Sequence, residues 1–283
     1  MYPSQFEYHR PSSVQEAVQL LASNPDAKLL AGGHSLIPAM KLRLATPTAL
    51  VDIGRVGGLD GISVNGGATI GALVTYRALL DSAELNAKFP IFAETAHVVG
   101  DPAVRARGTI GGSLAHSDPA ADFTAVMLAL GASVTAVGSG GERTIAIDDL
   151  FVDLLTTSLE ADEIITAIAI PADAAGSGMA YEKHAHPASG YAVVGVAAVL
   201  KMAGGSCESA RVAVTGAVSK ATRASAVEQA LTGQMLNADI LANAAQSATD
   251  GLELNGDVYA SADYRGHLVR VLTRRALTRA AGL

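Results

Sequence analysis

Two short stretches, each with a glycine pair followed by a hydroxyl residue, set the terms for this chain. In residues 28–44, KLLAGGHSLIPAMKLRL, an apolar run (Leu29, Leu30, Ala31) enters Gly32-Gly33, and His34, Ser35 and Leu36 follow. In residues 108–122, GTIGGSLAHSDPAAD, Gly108 and Thr109 lead to Gly111-Gly112 and Ser113, with Asp118 and Asp122 just beyond. Glycine accepts positive φ and leaves the backbone bare, so a strand running into such a turn aims amides at an anion. Either stretch alone also reads as a tight turn. Two of the same kind could clamp a diphosphate from both sides, with Asp118 or Asp122 reaching hydroxyl groups.

The remaining composition narrows the chemistry. With 283 residues the chain is long enough for two or three domains and a sizeable core. Aromatics are only 4% and tryptophan is absent, so the core is built from small aliphatics. A net charge of −7 with no basic run argues against nucleic acid, whose binding rests on neutralised phosphates. Cys207 is the only cysteine, so neither an internal disulfide nor a thiolate cluster for zinc or iron–sulfur is available. The N-terminus lacks the basic and apolar regions of a signal peptide. The uncharged stretch 123–141 is broken by Gly131 and reads as a helix end followed by a strand, so no membrane span is expected. A cytoplasmic location follows as an expectation.

Periodicity predicts an α+β chain in two parts. A small α/β unit comes first: an extended piece at 6–9, a helix at 14–23 capped by Ser12 or Ser13, and strands at 28–31 and 49–53. The turn at 57–61 marks a subdomain boundary. A hairpin about Asn65-Gly66-Gly67 follows, then helices at 76–81 and 90–98. Asp101-Pro102 is expected to halt the chain before the second glycine turn. A helix from Asp122 to about Leu130 stops at Gly131, and strands are expected at 132–137, 143–147 and 163–170. The turn-rich segment 173–178 is the main boundary, giving parts 1–175 (subdivided at about 56) and 176–283. The second part reads as three antiparallel strands (179–184, 192–202, 209–216) and helices at about 223–231, 238–247 and 262–280.

Together, AGGHSLIPAMKLRL and TIGGSLAHSDPAAD resemble the FAD-binding medium subunit of molybdenum hydroxylases, the carbon monoxide dehydrogenase and xanthine dehydrogenase group. The resemblance covers nearly the whole chain. It implies a two-part FAD-binding domain followed by a C-terminal sheet-and-helix domain, and FAD as cofactor. It also implies a small [2Fe-2S] subunit and a large molybdenum-cofactor subunit as partners, and an external acceptor such as a quinone or NAD. By resemblance, Leu29, Leu30, Ala31, Leu36, Val99, Gly100 and Val104 wall the cleft. Ile165 packs on the isoalloxazine, Lys183 lies near its carbonyl edge, and Tyr191 is an aromatic near the ring. On pattern alone, Lys183 is a surface lysine, Tyr191 a strand-edge aromatic, Asp122 a helix N-terminal acid and Asp118 a turn residue.

Other chemistries have weaker support in the residues. His184-x-His186 puts two imidazoles on one side of a strand, but no further ligand is near, so no metal site is expected. No Gly-x-Ser-x-Gly elbow accompanies His34-Ser35 or His116-Ser117-Asp118. A Gly-x-Gly-x-x-Gly fingerprint and a lysine after Gly33 are both missing. No residue need act as general acid or base, because the flavin carries the chemistry. The rivals are a self-contained flavin oxidoreductase and an assembly module that has lost FAD. Intact glycine pairs argue against the latter.

Overall fold

The computed structural model describes residues 2–283. The first unit comprises β1 (Glu7–His9), α1 (Val14–Ser23), β2 (Lys28–Leu30), α2 (Leu36–Lys41) and β3 (Ala49–Asp52). Its three strands are parallel in the order β1-β3-β2. Helix α1 starts where expected: the Ser13 hydroxyl accepts from the Glu16 amide at 3.1 Å, and the Glu16 carboxylate accepts from the Ser12 amide at 2.7 Å. Its apolar face, Ala17, Val18 and Leu21, closes a small core with Val51 and Ile53.

The second unit holds β4 (Ile62–Ser63), β5 (Ala68–Gly71), α3 (Tyr76–Asp81), α4 (Ala83–Lys88), α5 (Ile91–Val98), α6 (Pro102–Arg107) and α7 (Ile110–His116). It continues with α8 (Asp122–Leu130), β6 (Ser133–Gly138), β7 (Gly141–Ala146), α9 (Ile147–Leu150), β8 (Phe151–Asp153), β9 (Thr156–Thr157) and β10 (Ile164–Ile170). Strands β4-β5-β10-β6-β7 form an antiparallel sheet, and β8-β9 a separate hairpin. Two expectations are corrected here. Asp101-Pro102 does not halt the chain but opens α6, with the Asp101 carboxylate accepting from the Val104 amide at 2.9 Å. Proline suits that position because its missing N–H would be unpaired anyway. The second glycine pair is not a turn either. Gly111 and Gly112 lie in the first turn of α7, where the Thr109 hydroxyl accepts from the Gly112 amide at 3.2 Å. The cap, worth about 1 kcal/mol, offsets much of the helix penalty of glycine.

The third unit comprises β11 (Gly178–Ala185), β12 (Ala192–Ala203), β13 (Ser206–Thr215), β14 (Thr222–Arg223), α10 (Ser225–Leu231), α11 (Ala238–Gln246) and α12 (Ala262–Ala280). Its antiparallel sheet runs β11-β12-β13-β14. Strand β12 is buried on both faces, which explains its unbroken apolar run. Val196, Ala198 and Leu200 face a core shared with α10, α11 and α12, whereas Ala197 and Val199 face the core of the second unit. Between the units lies α8, packed against β12 and β13, with all 9 of its residues buried. Arg265 sits buried near the start of α12. It donates to the carbonyls of Val193 and Gly216, each at 2.7 Å. No helix among the described residues is long and apolar enough to cross a membrane.

Candidate functional site

The strand β2 delivers its half-buried leucines, Leu29 and Leu30, to the Gly32-Gly33 turn, and Ser35 precedes α2. Gly33 has φ +76°, a conformation that side-chained residues rarely adopt. The successive amides of Gly32, Gly33, His34 and Ser35 find no acceptor among the described residues. Such a run of free N–H groups is an anion-binding concavity. Gly32 is pressed against α6: a Cβ there would collide with the Arg107 carbonyl. Gly112 faces the same way, with Ala31 as its nearest neighbour beyond Thr109. The two glycine pairs are therefore neighbours in space.

Their contributions differ, however. The Gly111 amide is taken by the Ala72 carbonyl (2.9 Å), and the Ser113 amide by the Thr109 carbonyl (3.0 Å). A Cβ on Gly111 would strike Ala72, and one on Gly108 would strike the Tyr76 ring. These two glycines permit close packing, and the run of successive free amides belongs to the first stretch. The Ser113 hydroxyl lies beside the Tyr76 phenol, whose pKa burial pushes up to about 12. Tyr76 in turn stacks on Phe123 at 5.3 Å.

Behind the turns, Asp122 and Lys183 meet. The Lys183 side chain is only 3% exposed and that of Asp122 7%, with Nζ 2.9 Å from Oδ1 and 3.0 Å from Oδ2. Lys183 also donates to the Val98 carbonyl at 2.9 Å. The surface reading of Lys183 is thus corrected: α8 and α5 cover this face of β11, and an alternating strand cannot reveal its cover. Asp122 does open α8, but its oxygens are engaged by Lys183 and by the fully buried Tyr181, whose hydroxyl donates to Oδ1 at 2.6 Å. Burial lifts the Asp122 carboxyl above its usual range, and Lys183 and Tyr181 oppose that.

A loop of the third unit reaches the first glycine turn. His186 and Gly190 are linked at 2.8 Å, and Gly190 packs on Gly100, itself set against Val104. Val99 is buried, and its carbonyl accepts from Arg105 at 3.0 Å. Tyr191, 46% exposed, has its phenol beside the Ser35 hydroxyl and near Asp118; burial, then the Asp118 charge, raises its pKa. One Asp118 oxygen accepts from the Ala120 amide at 2.8 Å, the turn role read from Asp118-Pro119. Ile165 is buried in the sheet beside Thr166, whose carbonyl accepts from the Ala72 amide at 3.0 Å. His184 and His186 pack on different tyrosines, Tyr264 and Tyr259. Among the described residues no cluster of His, Cys, Asp and Glu could hold a metal ion.

Sequence reasoning missed Tyr181 and Gly195. A signal was present: Tyr181 and Lys183, two apart on one strand, share a face, and Gly195 interrupts the apolar run of β12 directly opposite Lys183.

Successive free amides beside a capped helix, with no Gly-x-Gly-x-x-Gly fingerprint, define an anion-binding site outside the Rossmann class. Residues 4–173 match the model of the FAD binding domain in molybdopterin dehydrogenase, and residues 179–280 that of the CO dehydrogenase flavoprotein C-terminal domain. The chain belongs to the FAD-binding medium subunits of the molybdenum hydroxylase family, an oxidoreductase family, and its cofactor is FAD. It is 41% identical over 282 residues to the carbon monoxide dehydrogenase medium chain of Afipia carboxidovorans, covering 99% of this chain and 98% of that one. It is 38% identical to the nicotine 6-hydroxylase medium subunit of Paenarthrobacter nicotinovorans, covering 96% of each. A solved carbon monoxide dehydrogenase from Hydrogenophaga pseudoflava superposes with a TM-score of 0.96 at 41% identity, over 100% of this chain and 99% of that one.

Proposed function

We propose that this chain is the flavin relay of a three-subunit molybdenum hydroxylase, holding FAD in the cleft between the first glycine turn and α7. The observation that carries this reading is the run of free amides at Gly32–Ser35 beside the N-terminal end of α7. Those amides and the Ser35 hydroxyl would hold the pyrophosphate, with Thr109, Gly112 and Ser113 on its other side. The remaining oxygen of Asp118 would take a sugar hydroxyl. Leu29, Leu30, Ala31, Leu36, Val99, Gly100 and Val104 would exclude water, and Tyr191 and Ile165 would bound the ring. Lys183, held by Asp122, would place positive charge near the carbonyl edge of the ring.

When bound, FAD accepts electrons and passes them on. Their source would be the [2Fe-2S] clusters of a small partner subunit, reduced at a molybdenum centre on a large one, and their sink a quinone, NAD or another acceptor. Residues 1–175 would form the flavin-binding part and 176–283 the second domain, and the complex would work in the cytoplasm. The names of the relatives mention carbon monoxide, nicotine and other molecules, and oxidation of the substrate would fall to the large subunit. The test is an absorption and fluorescence titration of the purified chain with FAD. Uptake of one equivalent by the parent, lost in Gly33→Val, supports the site; equal uptake by both refutes it.

A further inference from the structure

The buried pair of Asp122 and Lys183 has a third member that sits in a socket of its own. Tyr181 is fully buried on β11, on the face toward α8, and its hydroxyl donates to Asp122 Oδ1 at 2.6 Å. The space that the hydroxyl fills exists because residue 195, on the neighbouring strand β12, is glycine. A Cβ at Gly195 would collide with the Tyr181 hydroxyl and would lie 2.8 Å from Thr215 Cγ2. Glycine weakens a strand interior, since it loses more entropy on folding and offers nothing to pack. Gly195 is nonetheless set in a strand whose neighbours Val193, Val194, Val196 and Ala197 are all buried. Its φ is not positive, so the backbone conformation does not require glycine there; the phenol does.

Asp122 itself begins α8, and the residues just before it are pinned from β13. The Thr215 hydroxyl donates to the carbonyls of Pro119 (2.5 Å) and Ala121 (3.0 Å). Backbone placement and carboxylate orientation are thus fixed by separate groups, the second by Tyr181. A carboxylate held on both oxygens by Lys183 and on one by a phenol has one orientation and little capacity for another ligand.

We propose that Tyr181 is a positioning residue of the flavin site: seated over Gly195, its hydroxyl fixes Asp122 so that the carboxylate holds the Lys183 ammonium in the cleft instead of binding the cofactor. This deepens the flavin reading and rests on it. Asp122 then acts through Lys183, and Tyr181 acts through both. Charged and titratable groups facing Asp122 are Lys183 and Tyr181 on β11, Tyr76 on α3, Tyr191 on the covering loop, and Asp118 on the preceding turn. Of these, only Lys183 and Tyr181 donate to its carboxylate. Loss of the phenol donor therefore favours the protonated carboxyl, which no longer balances the ammonium.

The experiment uses the full chain with FAD as probe. In Tyr181→Phe the affinity for FAD should fall about tenfold at neutral pH, and the acid limb of the affinity–pH profile should move to higher pH. In an Asp122→Asn background the same substitution should change affinity less than about twofold, because the group it orients has lost its charge. An unmoved acid limb, or an undiminished effect in that background, overturns the proposal. A readout free of flavin separates this outcome from failure of the flavin site. Carboxyl NMR of the Asp-labelled chain, with Asp122→Asn assigning the resonance, should show the Asp122 midpoint rising in Tyr181→Phe. A parent that takes up no FAD but shows this rise removes the flavin reading and leaves the positioning of Asp122 supported; an unmoved midpoint overturns it.

Discussion

Gly32 and Gly33 are adjacent, yet a side chain would fail at each for a different reason. At Gly33 the obstacle is the backbone: φ is +76°, so valine there should cost roughly 1–3 kcal/mol and abolish FAD uptake while the chain stays folded. At Gly32 the obstacle is Arg107, whose carbonyl occupies the place of a Cβ. Alanine at 32 should force the first turn away from α6 and lower FAD affinity even though no ligand-facing group changes. Fluorescence titration, with circular dichroism as the check on folding, reads both; full affinity in Gly32→Ala would show that the contact between the motifs is dispensable. Lys183 supplies the other residue-scale prediction. Lys183→Met strands a buried carboxylate, which costs about 3–5 kcal/mol, and urea unfolding should show that loss. Adding Asp122→Asn should recover most of it, because no charge is then left uncompensated.

At the scale of elements, what the sequence revealed depended on where each signal resides. Helix α12 was legible at both ends, since the Ser261 cap is local and accepts from the Tyr264 amide at 3.2 Å. The hairpin β4-β5 followed from its Asn-Gly-Gly turn, and the closing of α8 from Gly131 at φ 63°. Helices α6 and α7 were not legible, because Asp-Pro and Gly-Gly signal turns unless the chain beyond continues as helix. Both glycine motifs were visible in the sequence, but which of them keeps a run of free amides depends on Ala72 and Thr109, and their placement is tertiary. Burial of Lys183 was hidden for the same reason. Between elements, Arg143 on β7 donates to both oxygens of Glu163 at 2.6 and 2.7 Å, tying β7 to the approach of β10. The Arg143 bond is the main cause holding the Glu163 carboxyl below its ordinary value of 4.5. A depressed carboxyl contributes stability that is complete above its unfolded pKa and is lost as pH falls through the folded value. Melting temperature followed from pH 6 down to about 3 should therefore fall less steeply in Glu163→Gln than in the parent. Parallel curves would assign the acid sensitivity elsewhere.

For the whole molecule, Cys207 is buried and alone, whereas a [2Fe-2S] cluster takes four ligands. A chain that only relays electrons should oxidise no organic substrate when purified by itself, even with FAD bound; steady turnover by the flavinylated chain would favour the self-contained oxidoreductase. Helix α8 carries the last consequence. It belongs by sequence to the first family match and by packing equally to the sheet of the second, with no residue left for water. During synthesis this helix emerges well before β12 and β13, so for that interval its face toward them stays apolar and uncovered while α5 and α7 pack on the other. The two halves should therefore complete their folding together, and calorimetry of the intact chain should give one endotherm, not two. The same dependence makes the chain divisible: fragments cut at the 173–178 turn should each aggregate when produced alone and recombine when produced together.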